Sequence, residues 1–128
     1  MVLKDGKFLI VRGAAQDYWK NVGGKLEDGE TPEQCLAREI KEELGVGLSD
    51  KPKHYFSLPT TKAVSDPSVE LDIHLYLCGL SGEPVASSEI EELRWMSKDD
   101  FEKRKYNVTY QMADFIIPKL VKDGLLTK

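Results

Sequence analysis

Gly23-Gly24-Lys25-Leu26-Glu27-Asp28-Gly29-Glu30 leads directly into Thr31-Pro32-Glu33-Gln34-Cys35-Leu36-Ala37-Arg38-Glu39-Ile40-Lys41-Glu42-Glu43-Leu44-Gly45. The second half of this stretch carries start and stop signals for one helix. Thr31 is a helix cap, Pro32 suits the first helical position because its missing N–H is not needed there, and Gln34 three residues on completes a capping box. Gly45 tolerates the left-handed conformation that ends a helix. Leu36, Ile40 and Leu44 recur every fourth residue, so they form a single apolar stripe that must face a core. An amphipathic helix of this kind needs a sheet or other helices to bury its stripe, and the flanking sequence supplies strands.

Upstream, Phe8-Leu9-Ile10-Val11 is a short apolar run preceded by Lys4-Asp5-Gly6-Lys7, which has the Asp-Gly signature of a tight hairpin turn. Only Met1-Val2-Leu3 precede the turn, short for a hairpin partner, so either the first strand is clipped or the natural start lies upstream. Downstream, residues 54–58 and 69–80 read as strands. In the second, Val69, Leu71, Ile73, Leu75 and Leu77 alternate with Glu70, Asp72, His74 and Tyr76, the pattern of a half-buried strand. Residues 92–96 form a further short strand, and Ser97 with Asp100 opens a brief helix. Residues 109–122 repeat Tyr110, Ala113, Ile117, Leu120 and Val121 at roughly helical spacing, with a kink expected at Pro118. Strands around a central helix, closed by a second helix, make a single mixed α/β domain over residues 1–128.

The 128 residues are 41% hydrophobic and 31% charged, with a net charge of −4. That is the balance of a globular domain, with no run long enough to span a membrane and no charged-then-apolar leader at the amino terminus. A cytoplasmic location is expected. The acidic balance argues against a stable grip on nucleic acid, which needs a basic stripe. Cys35 and Cys78 lack partners at metal-ligand spacing and are expected to be reduced thiols.

Glu39, Glu42 and Glu43 stand at i, i+3 and i+4 on the capped helix, within an arc of about 100°. Like charges at that spacing repel, and the last turn of a helix disfavours negative charge. Two readings remain open from the residues alone. The carboxylates form a solvated acidic face neutralised by Arg38 and Lys41, or they form an oxygen-only ligand set for a hard divalent cation. The paired glycines favour the second reading, since backbone there can approach a metal or a phosphate without a side chain in the way.

Gly24, five residues, Glu30, seven residues, then Arg38-Glu39-Ile40-Lys41-Glu42-Glu43-Leu44-Gly45-Val46 resembles the Nudix box in spacing and in every specified residue. The resemblance implies an α/β fold, an α/β/α sandwich around a mixed β-sheet. It implies a hydrolase that uses Mg²⁺ or Mn²⁺ to cleave a phosphoanhydride bond in a nucleoside diphosphate linked to another group. By position it makes Glu39, Glu42 and Glu43 the metal-ligand and general-base set, with Gly23 offering its carbonyl. Arg38 would orient these carboxylates, with Gly24 and Glu30 supporting the loop. Many members place another glutamate before a late strand, and Glu89 fits that place best.

Within the family the chain looks like a small MutT-type member acting on a normal or oxidised nucleoside triphosphate, giving the monophosphate and pyrophosphate. The alternatives are an ADP-ribose or nucleotide-sugar pyrophosphatase and a nucleotide-sensing module without catalysis. Asn21-Val22 replaces the Leu-Pro or Phe-Pro usual before the paired glycines, and neither the ADP-ribose proline nor the dinucleoside-polyphosphate tyrosine is in register. The expected partner is the nucleotide substrate, with no membrane and no stable nucleic-acid partner, and the chain would act as a monomer or homodimer. Tyr18, Trp19, Tyr55, Phe56 and Tyr76 are either base-stacking or core residues, and His54 and His74 either phosphate contacts or structural side chains.

Overall fold

A computed structural model describes residues 1–128. The Asp5-Gly6 turn forms as expected: both residues take positive φ, 53° and 76°, which lets β1 (Leu3–Lys4) fold back on β2 (Lys7–Gly13) with Leu3 opposite Phe8. β2 also pairs antiparallel with β7 (Ile90–Met96). Phe8, Leu9, Ile10 and Val11 are fully buried because β2 is covered on both faces. Its alternation sends Phe8 and Ile10 to one core and Leu9 and Val11 to the other.

α1 (Pro32–Leu44) covers the second face. Thr31 Oγ1 accepts from the Gln34 N–H, the Gln34 side chain accepts from the Thr31 N–H, and Gly45 ends the helix at φ 69°. Leu36, Ile40 and Leu44 pack with Leu9, Val11, Val22 and Ile90. The other face carries the carboxy-terminal helix, a π-helical turn Met112–Ile116 running into α3 (Ile117–Lys122). The widened turn lies immediately before Pro118, whose ring cannot fit an unbroken α-helical ladder. Met112, Ile116, Ile117 and Leu120 close the core against Phe8, Ile10, Leu75 and Met96. α2 (Lys98–Glu102) is capped by Ser97 and Asp100.

The strand expected over residues 69–80 is not continuous. It breaks into β5 (Glu70–Leu71) and β6 (His74–Leu77), which pair antiparallel with β4 (Thr61–Lys62) and β3 (Lys53–Ser57). The Leu58 N–H to Ile73 carbonyl bond at 3.0 Å links the two pairs into one long, bulged ribbon. Its alternation survives, since Leu75 is buried while Glu70, Asp72 and His74 are exposed.

The short amino terminus continues the sheet. The Cys78 N–H donates to the Met1 carbonyl and the Leu9 N–H to the Val2 carbonyl, each at 3.0 Å, and Val2 bridges Cys78 in parallel. Met1 and Val2 are therefore buried between β2 and the ribbon. This parallel contact among antiparallel pairs makes the sheet mixed, and with helices on both faces the molecule is an α/β/α sandwich.

Candidate active site

One guanidinium ties the glycine loop to α1. Arg38 Nε and Nη2 donate to the two Glu30 oxygens at 2.8 and 3.1 Å, a bidentate pair, and Nη2 also donates to the Lys25 carbonyl at 3.0 Å. Nη1 donates to Glu39 at 2.8 Å and Glu42 at 3.4 Å. Glu30 in turn accepts from the Glu27 N–H at 3.0 Å. The Arg38 contact, with that backbone donor second, holds the Glu30 carboxyl down at about 2.

The two glycines do different work. A Cβ on Gly24 would collide with the Glu39 carboxylate, so only a glycine lets that side chain lie against the loop. Gly23 sits at φ 137°, a conformation that L side chains rarely adopt, although nothing crowds it. That conformation aims its N–H at Glu43 Oε1, 3.0 Å away. The Gly23 carbonyl accepts no hydrogen bond from the protein.

The three helix carboxylates do not share one environment. Glu42 is exposed, Glu39 is half-buried, and Glu43 is 2% exposed because it lies on the buried side of α1 with Ile40 and Leu44. Burial pushes the Glu43 carboxyl up to about 7. The Gly23 N–H and the Lys20 charge oppose that rise, and the Glu39 and Glu89 charges add to it. The charges of Glu39 and of Glu89 thus each reach Glu43, although α1 and the turn before β7 are far apart in sequence.

Glu89 is exposed in that turn, where Ser88 takes φ 56°. The Ala14 N–H donates to the Glu89 carbonyl at 3.2 Å and so ties the turn to the end of β2. Lys20, which sequence reasoning missed, is placed by its two backbone bonds with Val11, at 2.8 and 2.9 Å. No local pattern marks it, because only that long-range bridge brings its charge to Glu43.

No three His, Cys, Asp or Glu side chains are gathered at metal-binding distance, and Arg38 occupies Glu39 and Glu42. The chemistry of the donors nevertheless fits a hard cation: all are oxygens, one is a buried carboxylate among like charges, and one is an unpartnered carbonyl.

Of the aromatic residues, Tyr55 and Phe56 pack into the core beneath the carboxy-terminal helix and Tyr76 into the core beneath α1. Trp19 is half-buried, edge-on to Tyr106 at 5.3 Å, with the Arg12 and Arg94 guanidinium groups each 5.8 Å from its ring centre. The Glu92 carboxylate pairs with both arginines, at 2.7 Å to Arg94. His54 and His74 lie on β3 and β6 and are exposed. Both cysteines are free thiols.

A capped carboxylate helix, clamped by one arginine to a glycine loop on a mixed-sheet sandwich, defines a class of acidic, oxygen-donor site whose chemistry suits a hard cation. Residues 1–116 match the family model described as NUDIX domain, and the chain belongs to that family. It is 34% identical over 108 residues to the 8-oxo-dGTP diphosphatase of Escherichia coli (strain K12), covering 77% of this chain and 79% of that protein. It is 32% identical over 109 residues to a MutT-like protein of Streptomyces ambofaciens, covering 84% of this chain and 66% of that protein. A 56% identity with the 8-oxo-dGTP diphosphatase of Proteus vulgaris is confined to 32 residues, 29% of that protein's length. Among solved structures, the MutT NUDIX hydrolase from Burkholderia pseudomallei superposes with a TM-score of 0.73 at 25% identity, over 91% of this chain and 92% of that one. A NUDIX hydrolase from Nitrosomonas europaea shares the fold, with a TM-score of 0.76 at 18% identity over 96% and 85% of the two chains. No helix is long and apolar enough to cross a membrane.

Proposed function

We propose that residues 1–128 form a single divalent-metal-dependent hydrolase domain that splits a nucleoside triphosphate into monophosphate and pyrophosphate. The observation that carries this reading is the contact of the Gly23 N–H with buried Glu43, which joins the glycine loop to α1 where Arg38 holds Glu39 and Glu42. A carboxylate buried as deeply as Glu43 on a carboxylate-rich helix is costly unless a cation is to be held beside it.

Glu39, Glu42, Glu43 and the Gly23 carbonyl would hold Mg²⁺ or Mn²⁺, which when bound neutralises phosphate charge and acidifies the attacking water. Arg38 aims Glu39 and Glu42 and, through Glu30, fixes the loop to the helix. Gly24 keeps the loop clear of Glu39. Glu89 carries no hydrogen bond that would occupy its carboxylate and is exposed, so it is free to take the proton of the attacking water. The named activities of the relatives support a triphosphate substrate and put 8-oxo-dGTP first among those to test. The net charge of −4 supports the absence of a stable nucleic-acid partner.

The test is product analysis by chromatography and mass, with Mg²⁺, on a panel of normal and oxidised nucleoside triphosphates, ADP-ribose, nucleotide sugars and dinucleoside polyphosphates. Monophosphate and pyrophosphate from a triphosphate are expected. Cleavage of ADP-ribose or a nucleotide sugar alone would replace the substrate, and binding without cleavage would make the chain a sensor. Glu89→Gln should lower kcat about 10²-fold with KM little changed; wild-type kinetics would move the base onto α1.

A further inference from the structure

The chain contains two histidines, and the ribbon brings both to one serine hydroxyl. In a regular strand His54 and Ser57 would point to opposite faces, being three residues apart. The register shifts between His54 and Phe56, so that His54 stands opposite Tyr76 and Phe56 opposite Leu75. This bulge lets Tyr55 and Phe56 both turn toward the carboxy-terminal helix, where Lys119 Nζ lies 5.3 and 5.7 Å from their rings. His54 and Ser57 are left together on the other face, exposed, with His74 directly opposite Ser57. Ser57 Oγ is 3.1 Å from His54 Nε2 and 2.7 Å from His74 Nδ1. The His54 ring is further set by an edge contact with Tyr76 at 5.3 Å.

We propose that His54 and His74 form a two-imidazole binding site for a borderline divalent transition-metal ion of the Zn²⁺ or Ni²⁺ kind, on the face of the ribbon turned away from the carboxy-terminal helix. Imidazole nitrogen suits these ions and not Mg²⁺ or Ca²⁺, which take oxygen, so this site and the carboxylate helix have opposite preferences. Two ring nitrogens already converge on one point, the serine hydroxyl, which has a single proton and so donates to one ring while accepting from the other. An ion binding both nitrogens would release Ser57, and water would complete its coordination. Both rings are exposed, so the ion reaches them without unfolding any element. The site is independent of the hydrolase reading.

With two histidines, the imidazole region of a nitrogen-15 NMR spectrum contains only these rings. We expect micromolar ZnCl₂, added in the presence of excess Mg²⁺ to mask the carboxylates, to shift both imidazole signals together, and NiCl₂ to broaden both. His54→Gln and His74→Gln should each weaken the Zn²⁺ response about tenfold or more, while Ser57→Ala retains it; backbone amide spectra of the variants check the fold. The proposal is overturned if the imidazole signals stay fixed while Zn²⁺ binds elsewhere, if only one ring responds, or if either histidine variant binds as wild type does.

Discussion

Residues 23–45 and residues 53–77 are stretches of similar length, yet they are built by different rules. The first is determined locally: a capping box closes within three residues, the apolar stripe recurs within one helix, and the Arg38 clamp reaches back no further than Lys25. The second depends on what lies across from it. Its two halves meet over as many as 24 positions, its register shifts at Tyr55, and its far end is docked onto the carboxy-terminal helix by Tyr110 and Gln111. Chemistry that needs fixed side chains is thus concentrated on the locally determined stretch, whereas the ribbon takes its shape from its partners.

The sharpest way to break this contrast is to alter one charge on the first stretch without touching its fold. Glu42 is exposed and its only partner is Arg38, so Glu42→Gln should leave the unfolding midpoint within experimental error. Turnover should fall by about two to four orders of magnitude, the range for removing an essential charged group from a metal-assisted site. Unchanged turnover would remove Glu42 from the ligand set.

A smaller loss is expected from the loop. Gly24→Ala places a Cβ where the Glu39 carboxylate lies, so the carboxylate or the loop must shift. Displacing a supporting contact of this kind costs about 10–100-fold in activity or metal affinity. Kinetics with Mg²⁺ titrated over a wide range would show the loss as weaker metal dependence. An unchanged Mg²⁺ titration would mean that Glu39 moves aside without consequence.

On the ribbon the effect should appear in stability. Gln111 is buried and its amide donates to the Lys62 carbonyl at 2.7 Å and to Thr61 Oγ1 at 3.3 Å. Gln111→Ala leaves both acceptors without that donor and should cost about 1–3 kcal/mol in denaturant unfolding. Hydrogen exchange should speed most at Ala63, whose N–H closes the ribbon tip onto the Val69 carbonyl at 2.9 Å. If exchange rises evenly across the molecule, the ribbon is not a separately anchored unit.

The same division explains what could be read in advance. The cap at Thr31, the stop at Gly45, the Asp5-Gly6 turn and the Ser97 cap were legible because each is a signal spanning a few residues, and the box Gly24–Glu30–Arg38 carried the family. The break between Leu71 and His74 was not legible, because alternation continues through it and only the pairing partners reveal the bulges. Spacing placed Glu39, Glu42 and Glu43 on one arc. It did not show that Glu43 turns inward to Gly23, since that depends on how α1 sits on the sheet. Lys20 at Glu43, and His54 beside Ser57, arise in the same way from contacts between distant or shifted strands.

The smallest expected effect concerns the clamp in acid. Glu30 ionises at about 2 in the folded chain, against an ordinary value near 4.5, first because Arg38 donates to it and second because the Glu27 N–H does. A folded-state value below the unfolded one means that the stability it contributes is fully present above about pH 5. That contribution is lost as pH falls from about 4.5 toward 2. Glu30→Gln removes this dependence while keeping the shape of the side chain. Wild type and variant should therefore differ in denaturant midpoint at neutral pH and converge as pH approaches 2, with other acid-sensitive groups cancelling in the comparison. A gap that stays constant down to pH 2 would show that Glu30 supports the loop through packing and not through its charge on Arg38.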